Sequence, residues 1–225
     1  MADEMNYINL NNAPAQDLEL IPHGTIAKVM MKIIPGGYDD MSKGWTDGYA
    51  TQSGYSGSVY LKCEFNILEG KFKDRKVYSL IGLHSDKGPK WKEMGESFMR
   101  AIMESKHGLS SKDYSEEAEK VRNLRGFYKL DNILFVARVD ITKDINGASK
   151  NEIKYAITAD HTDYTRVMNL GKERVMTDNN SNQRASNASL PKDLQVAKNG
   201  ELDDTPARPQ KKSNTEDLRD DDIPF

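Results

Sequence analysis

Cysteine is almost missing from this chain: Cys63 stands alone among 225 residues. One thiol cannot build a disulfide framework, so a reducing intracellular compartment is the expectation. No apolar run approaches the roughly 20 residues that cross a bilayer. The first residues hold Asp3 and Glu4 where a secretion signal would carry bases. A cytoplasmic protein with no membrane association is therefore expected. Histidine is also scarce, and His23, His84, His107 and His161 show no metal-ligand spacing. His161 with Asp160 and Asp163 reads as a solvated loop rather than a metal or acid–base cluster. There is no Gly-rich phosphate loop followed by Lys-Ser/Thr, and no nucleophile elbow around a serine. These absences argue against an enzyme, and no cofactor or metal is expected.

What is present is charge. Charged residues make up 30% of the chain and hydrophobic ones 37%, and mean hydropathy is −0.74. The net charge of −3 looks wrong for a nucleic-acid binder until it is divided by region. Residues 176–225 hold seven Lys/Arg against ten Asp/Glu, and residues 1–20 hold four acids and no bases. Residues 21–175 carry 25 bases against 21 acids. The body is mildly basic and both ends are acidic, and only clustering on one face would turn that excess into a footprint.

The organisation follows from composition. Residues 1–20 read as an N-terminal arm, 21–175 as one folded domain, 176–215 as a disordered linker, and 216–225 as an acidic protein-interaction tip. Within the domain, Ala27, Val29, Met31 and Ile33 fall on one side and Ile26, Lys28, Met30, Lys32 and Ile34 on the other, predicting a first strand over 25–34. A long connection runs from Pro35 to Gly57, carrying Tyr38, Trp45, Tyr49 and Tyr55 among glycines and small polar residues. A structureless loop of that length is unusual in a compact domain and is commonly functional or disordered.

Val59, Leu61, Cys63, Phe65 and Ile67 then alternate over nine residues, the clearest strand pattern in the chain. A basic turn leads into a third strand over 77–83. From Lys90 to Ser105 the period changes to that of a helix, with Trp91, Met94, Phe98 and Ile102 on one stripe. Ser115 caps a second, charged helix. Two further strands, 133–141 and 153–157, flank Asn146-Gly147. Five strands with a helical insert between the third and fourth are the arrangement of an OB-fold barrel. The alternative is an open antiparallel sheet with two helices on one face.

Gripping a flexible polyanion without reading its sequence needs bases for phosphates and planar rings for stacking. Lys28 and Lys32 lie on the polar side of the first strand. Tyr60 and Lys62 share the polar side of the second, and Lys76 and Tyr78 that of the third. The turn between them adds Lys71, Phe72, Lys73 and Arg75. The connection adds Tyr38, Trp45, Tyr49 and Tyr55, which a Gly-rich loop leaves little to pack against. Tyr60 and Tyr78 read equally well as rings on the outer barrel surface, and Phe72 as a turn residue tucked onto the sheet. Trp91 reads as core.

The chain ends in Asp220, Asp221, Asp222, Ile223, Pro224 and Phe225. Acids running into a terminal Ile-Pro-Phe resemble the tail tip of bacterial single-stranded-DNA-binding proteins, which replication and repair proteins recognise. Ile21-Pro22-His23-Gly24 and Phe65-Asn66-Ile67-Leu68-Glu69-Gly70, with the basic turn that follows, are similar to single-stranded-DNA-binding proteins of phages and mobile elements. The resemblance implies an OB-fold, a role in DNA replication, recombination or repair, single-stranded DNA as ligand, and a tail that recruits partner proteins. It leaves a homo-oligomer open. A recombination mediator or strand-annealing factor is the rival expectation, and a DNA-processing enzyme a weaker one.

Overall fold

The computed structural model of the chain describes residues 10–13, 19–144 and 146–169. The expected linker and tip, including Asp220, Asp221, Asp222, Ile223, Pro224 and Phe225, lie outside the described residues, as does most of the arm.

The chain folds as a mainly β protein, an antiparallel sheet curled into a half-barrel, with helices packed on it. Strand β1 (Thr25–Ile34) is its centre, pairing antiparallel with β4 (Val59–Ile67) along one edge and β6 (Ile133–Lys143) along the other. On its far edge β4 pairs with β5 (Lys76–His84), and β6 pairs with β7 (Ser149–Ala156). Curling brings β5 and β7 alongside one another, where the Ile153 N–H donates to Ser79 Oγ at 2.8 Å.

Period-two patterning decides which face is buried. Ala27, Val29, Met31 and Ile33 of β1 turn inward with Leu61, Cys63, Phe65 and Ile67 of β4. Full burial pushes the Cys63 thiol far up from its ordinary range, so it is an inert core residue. The open end of the curl is filled by α1 (Lys90–His107). Phe98 of α1 meets Phe65 and Phe135 at centroid separations of 6.3 and 6.4 Å, and Phe65 meets Phe135 edge-on at 6.1 Å. Such ring contacts add about 0.5–1.5 kcal/mol each beyond area burial. Gly108, in the left-handed region at φ 67°, ends the helix by donating to Glu104 O and Ser105 O.

Two glycines set how closely α1 approaches the sheet. A methyl built on Gly95 would collide with Gly82 O, and one on Gly82 would lie 2.5 Å from the Trp91 indole. Helix and strand backbones therefore touch, and Trp91 lies across β5. The second helix, α2 (Glu116–Arg122), is capped by Ser115, whose side chain accepts from Ala118 N as expected. It is tied to α1 through buried Glu104, which accepts from Arg100 Nε and Arg122 Nε at 2.8 Å each. A last short helix, α3 (Tyr164–Asn169), lays Tyr164 and Val167 over Val136 and Ile157.

The connection between the first two expected strands is not a loop. It holds β2 (Tyr38–Asp40), a 3-10 turn (Met41–Lys43) and β3 (Trp45–Gln52), which pair as a hairpin and extend the sheet from β4 through Thr51 and Gln52. Among the described residues, seven strands stand where five were expected. Gly36 lies so close to Thr51 and Ala50 that it has no space for a side chain, so the hairpin folds tightly back.

Candidate nucleic-acid interface

The outward face of β1, β4 and β5 brings Lys32, Lys62, Glu64, Asn66, Lys76 and Tyr78 into register. Lys32 of β1 faces Glu64 of β4, which faces Tyr78 of β5; in the next row Met30 faces Asn66, which faces Lys76. Lys62 stands between Ile34 and Leu80. Lys32, Lys62, Lys76 and Tyr78 thus share one surface, with Lys28 half-buried further along β1. Tyr78 is 53% exposed.

That surface has an acid in its middle. Glu64 accepts from Lys76 Nζ and from Tyr78 Oη, both at 2.9 Å. Burial alone would raise the Glu64 carboxyl, but the hydrogen bonds from Lys76 and Tyr78, with the charge of Lys32, outweigh it and hold it below its ordinary value. Lys76 is shifted upward by the same bond. Burial first, and the Glu64 bond second, raise the Tyr78 phenol, so its hydroxyl stays a donor. The bond fixes the orientation of the Tyr78 ring.

Most of the expected rings lie elsewhere or are covered. Tyr60 is only 2% exposed, with its ring 6.1 Å from that of Trp91, because α1 closes over this end of β4. Tyr49 is buried, and its hydroxyl donates to Asp131 Oδ2 at 3.3 Å; burial, then the Asp131 charge, push its pKa up to about 12. A buried ring has no face for a base, so the stacking role expected of these two does not fit their positions. Tyr38 and Trp45 are half-buried and pack against the core, correcting the expectation that the glycine-rich segment leaves them unsupported. Tyr55 remains, fully out in solvent at the β3–β4 turn.

The basic turn is partly engaged. Arg75 donates to Glu19 O at 2.8 Å, and Lys71 lies 3.8 Å from the Glu19 carboxylate and over the Phe72 ring. Phe72 packs against the core, as a turn residue tucked onto the sheet would. Lys73 is exposed.

One recess borders this surface, and a larger one lies elsewhere on the domain. The larger, about 310 Å³, lies between Trp45, Leu83, Met99 and Phe127. Each basic side chain on its rim already faces a carboxylate: Lys43 with Asp40 at 3.1 Å, Lys92 with Glu96 at 3.5 Å, and His84 with Asp86 at 3.0 Å. It holds no surplus charge for a polyanion. The smaller, about 120 Å³, borders Tyr78 and is lined by Lys62, Leu80, Lys150 and Glu152 among others.

Asp160 is held by hydrogen bonds from Ser110, Ser111 and Thr158, which keep its carboxyl far below the usual range. Asp163 pairs with Arg166 at 2.7 Å. Both are structural loop ties. Among the described residues no group of three or more His, Cys, Asp or Glu side chains could hold a metal ion. None of the described helices is long and apolar enough to cross a membrane.

Comparison of the chain with protein families, with curated proteins and with solved structures finds no match.

Sequence reasoning passed over two residues here. Glu64 was readable, since it alternates with Lys62 on the polar side of β4. Lys150 was not, because its place depends on β7 lying beside β5.

Proposed function

We propose that this chain is a single-stranded-DNA-binding protein of replication, recombination or repair, built on an OB-fold. The observation that carries the reading is the shared outward face of Lys32, Lys62, Lys76 and Tyr78. Lys32 and Lys62 on one face suit successive phosphates, Lys76 stands beside them tied to Glu64, and a fixed, half-exposed ring suits a base. The strand order supports the fold. β1 pairs with β4 and β6, β5 and β7 flank these and meet at a seam, and α1 fills the end between them. That order supports reading the sheet as a five-stranded barrel with a helical plug, to which the β2–β3 hairpin would be an addition.

On this reading the domain acts by neutralising phosphates and stacking bases, without cleaving or forming bonds. The acidic tip, Asp220 to Phe225, would recruit partner proteins, its aromatic end and carboxylate docking on a basic, apolar surface. A fluorescence titration with single-stranded and duplex oligonucleotides at two salt concentrations tests the first part. The two phosphate contacts of Lys32 and Lys62 predict a log–log salt slope of about −1.4 for a single strand. Equal affinity for duplex, or no salt dependence, defeats the reading. Removing residues 216–225 should abolish capture of partner proteins while leaving DNA affinity equal or higher.

One observation favours the rival, a strand-annealing or mediator factor that grips weakly. Glu64 puts a negative charge in the middle of the face, and Tyr49 and Tyr60 are withdrawn from it. A strand-annealing assay separates the two, since a coating protein slows the pairing of complementary strands and an annealing factor speeds it.

A further inference from the structure

We infer that a single phosphate of the bound strand is held between Lys62 of β4 and Lys150 of β7, beside the seam where β5 meets β7. Lys150 belongs to none of the strands that carry the face described above, so this adds a third wall and a new contact residue. The inference rests on the single-stranded-DNA reading.

Three observations carry it. Lys62 and Lys150 line the same recess, with Tyr78 and Leu80 at its border. Its size, about 120 Å³, is room for about four waters. It lies well below the roughly 300 Å³ at which pockets begin to enclose whole small molecules. It suits one phosphate group, with the attached base left outside to lie on the exposed Tyr78 ring.

The charge is the second observation. The recess contains one acid, Glu152, whose Oε2 is already bound by Lys154 Nζ at 3.0 Å and by Thr142 Oγ1 at 2.9 Å. Neither Lys62 nor Lys150 pairs with a carboxylate among the described residues. Two uncompensated ammonium groups facing one small cavity attract an anion and repel each other until it arrives. The larger recess beside Trp45 is the internal contrast, since both of its lysines are matched by carboxylates.

The third is the seam. β5 and β7 are bridged there by the Ile153 N–H bond to Ser79 Oγ, one residue from Tyr78 and one from Glu152. A phosphate held from both sides beside that point adds a tie between β4 and β7.

The test is a salt-dependent titration of a 20-residue oligothymidylate with the full chain and with Lys62→Gln, Lys150→Gln and the double variant. Lys150→Arg serves as a charge-preserving control and Lys112→Gln as a remote one. Lys150→Gln is expected to weaken binding about three- to tenfold at low salt and to reduce the slope by about 0.7, the value of one phosphate contact on a single strand. Lys150→Arg should retain most of the affinity, and Lys112→Gln all of it. Because both lysines hold one phosphate, the double variant should lose little more than either single one. Circular dichroism melting of each variant separates a binding loss from a folding loss, and Lys150 is exposed. If the unaltered chain binds and Lys150→Gln binds equally well with the same slope, this inference is overturned alone. Additive losses from the two lysines overturn the shared phosphate. If the unaltered chain fails to bind the oligonucleotide, the single-stranded-DNA reading falls first and takes this inference with it.

Discussion

Tyr60 and Tyr78 occupy the same side of neighbouring strands, yet one is 2% exposed and the other 53%. The sheet treats them alike; the helix does not. At the Tyr60 end, Gly82 and Gly95 let α1 descend until Trp91 covers the surface. At the Tyr78 end the helix has passed, and the ring is held by Glu64 alone. A strand's alternation therefore says which side a residue points to, and a pair of glycines on other elements says whether that side meets water. The proposed binding face is the part of the polar side that α1 leaves uncovered.

The largest expected effect breaks the covered half. Tyr60→Ala removes a buried ring and should cost about 3–5 kcal/mol of stability, read as a fall in the urea midpoint at constant m-value. Any effect on DNA binding should follow unfolding alone. Gly95→Ala should cost about 1–3 kcal/mol by forcing helix and strand apart. A Gly95 variant as stable as the parent would mean that the close approach of α1 is not what closes this end. Tyr78→Ala sharpens the comparison from the other side. Its melting temperature should hardly move, while oligonucleotide affinity falls about 5- to 150-fold, the loss of one stacked base at roughly 1–3 kcal/mol. Loss of stability without loss of affinity would make Tyr78 a surface ring and nothing more.

How much of this was legible in the sequence depends on how local the cause is. The alternation from Val59 to Ile67 and the helical stripe through Phe98 and Ile102 arise within single elements, and both appear where expected. Ser115 capping α2 is equally local. The β2–β3 hairpin was not legible because β2 has three residues, too few for a period, and its glycines read as loop. The burial of Tyr49 depends on Asp131, 82 residues away, receiving its hydroxyl. The burial of Tyr60 depends on two glycines meeting across elements. Contacts of that kind leave no trace in a window of neighbouring residues. The basic face fared better, because Lys32, Lys62, Lys76 and Tyr78 sit at alternating positions whose direction follows from the strand itself.

Glu64 gives the smallest expected effects, and they test whether the open half is organised as described. Glu64→Gln removes one negative charge from beneath the proposed strand, worth about 1 kcal/mol through water, or roughly a fivefold gain in affinity at low salt. The cost should appear in stability, with a sign fixed by the shifts. The carboxyl is held below its ordinary 4.5 in the folded chain, so its stabilising effect is present above that value. That effect should fade as pH falls through the lower folded value. Lys76 is held above its ordinary 10.5, so its share is present below that and fades as pH rises beyond it. The melting temperature of the parent should therefore exceed that of Glu64→Gln near neutrality, and the gap should close at both acid and alkaline extremes. A gap that stayed constant from pH 7 down to 3 would mean that Glu64 is not bound to Lys76 and Tyr78 in solution. Lys76 would then already be available to a phosphate, and the gain in affinity on removing the acid should shrink with it.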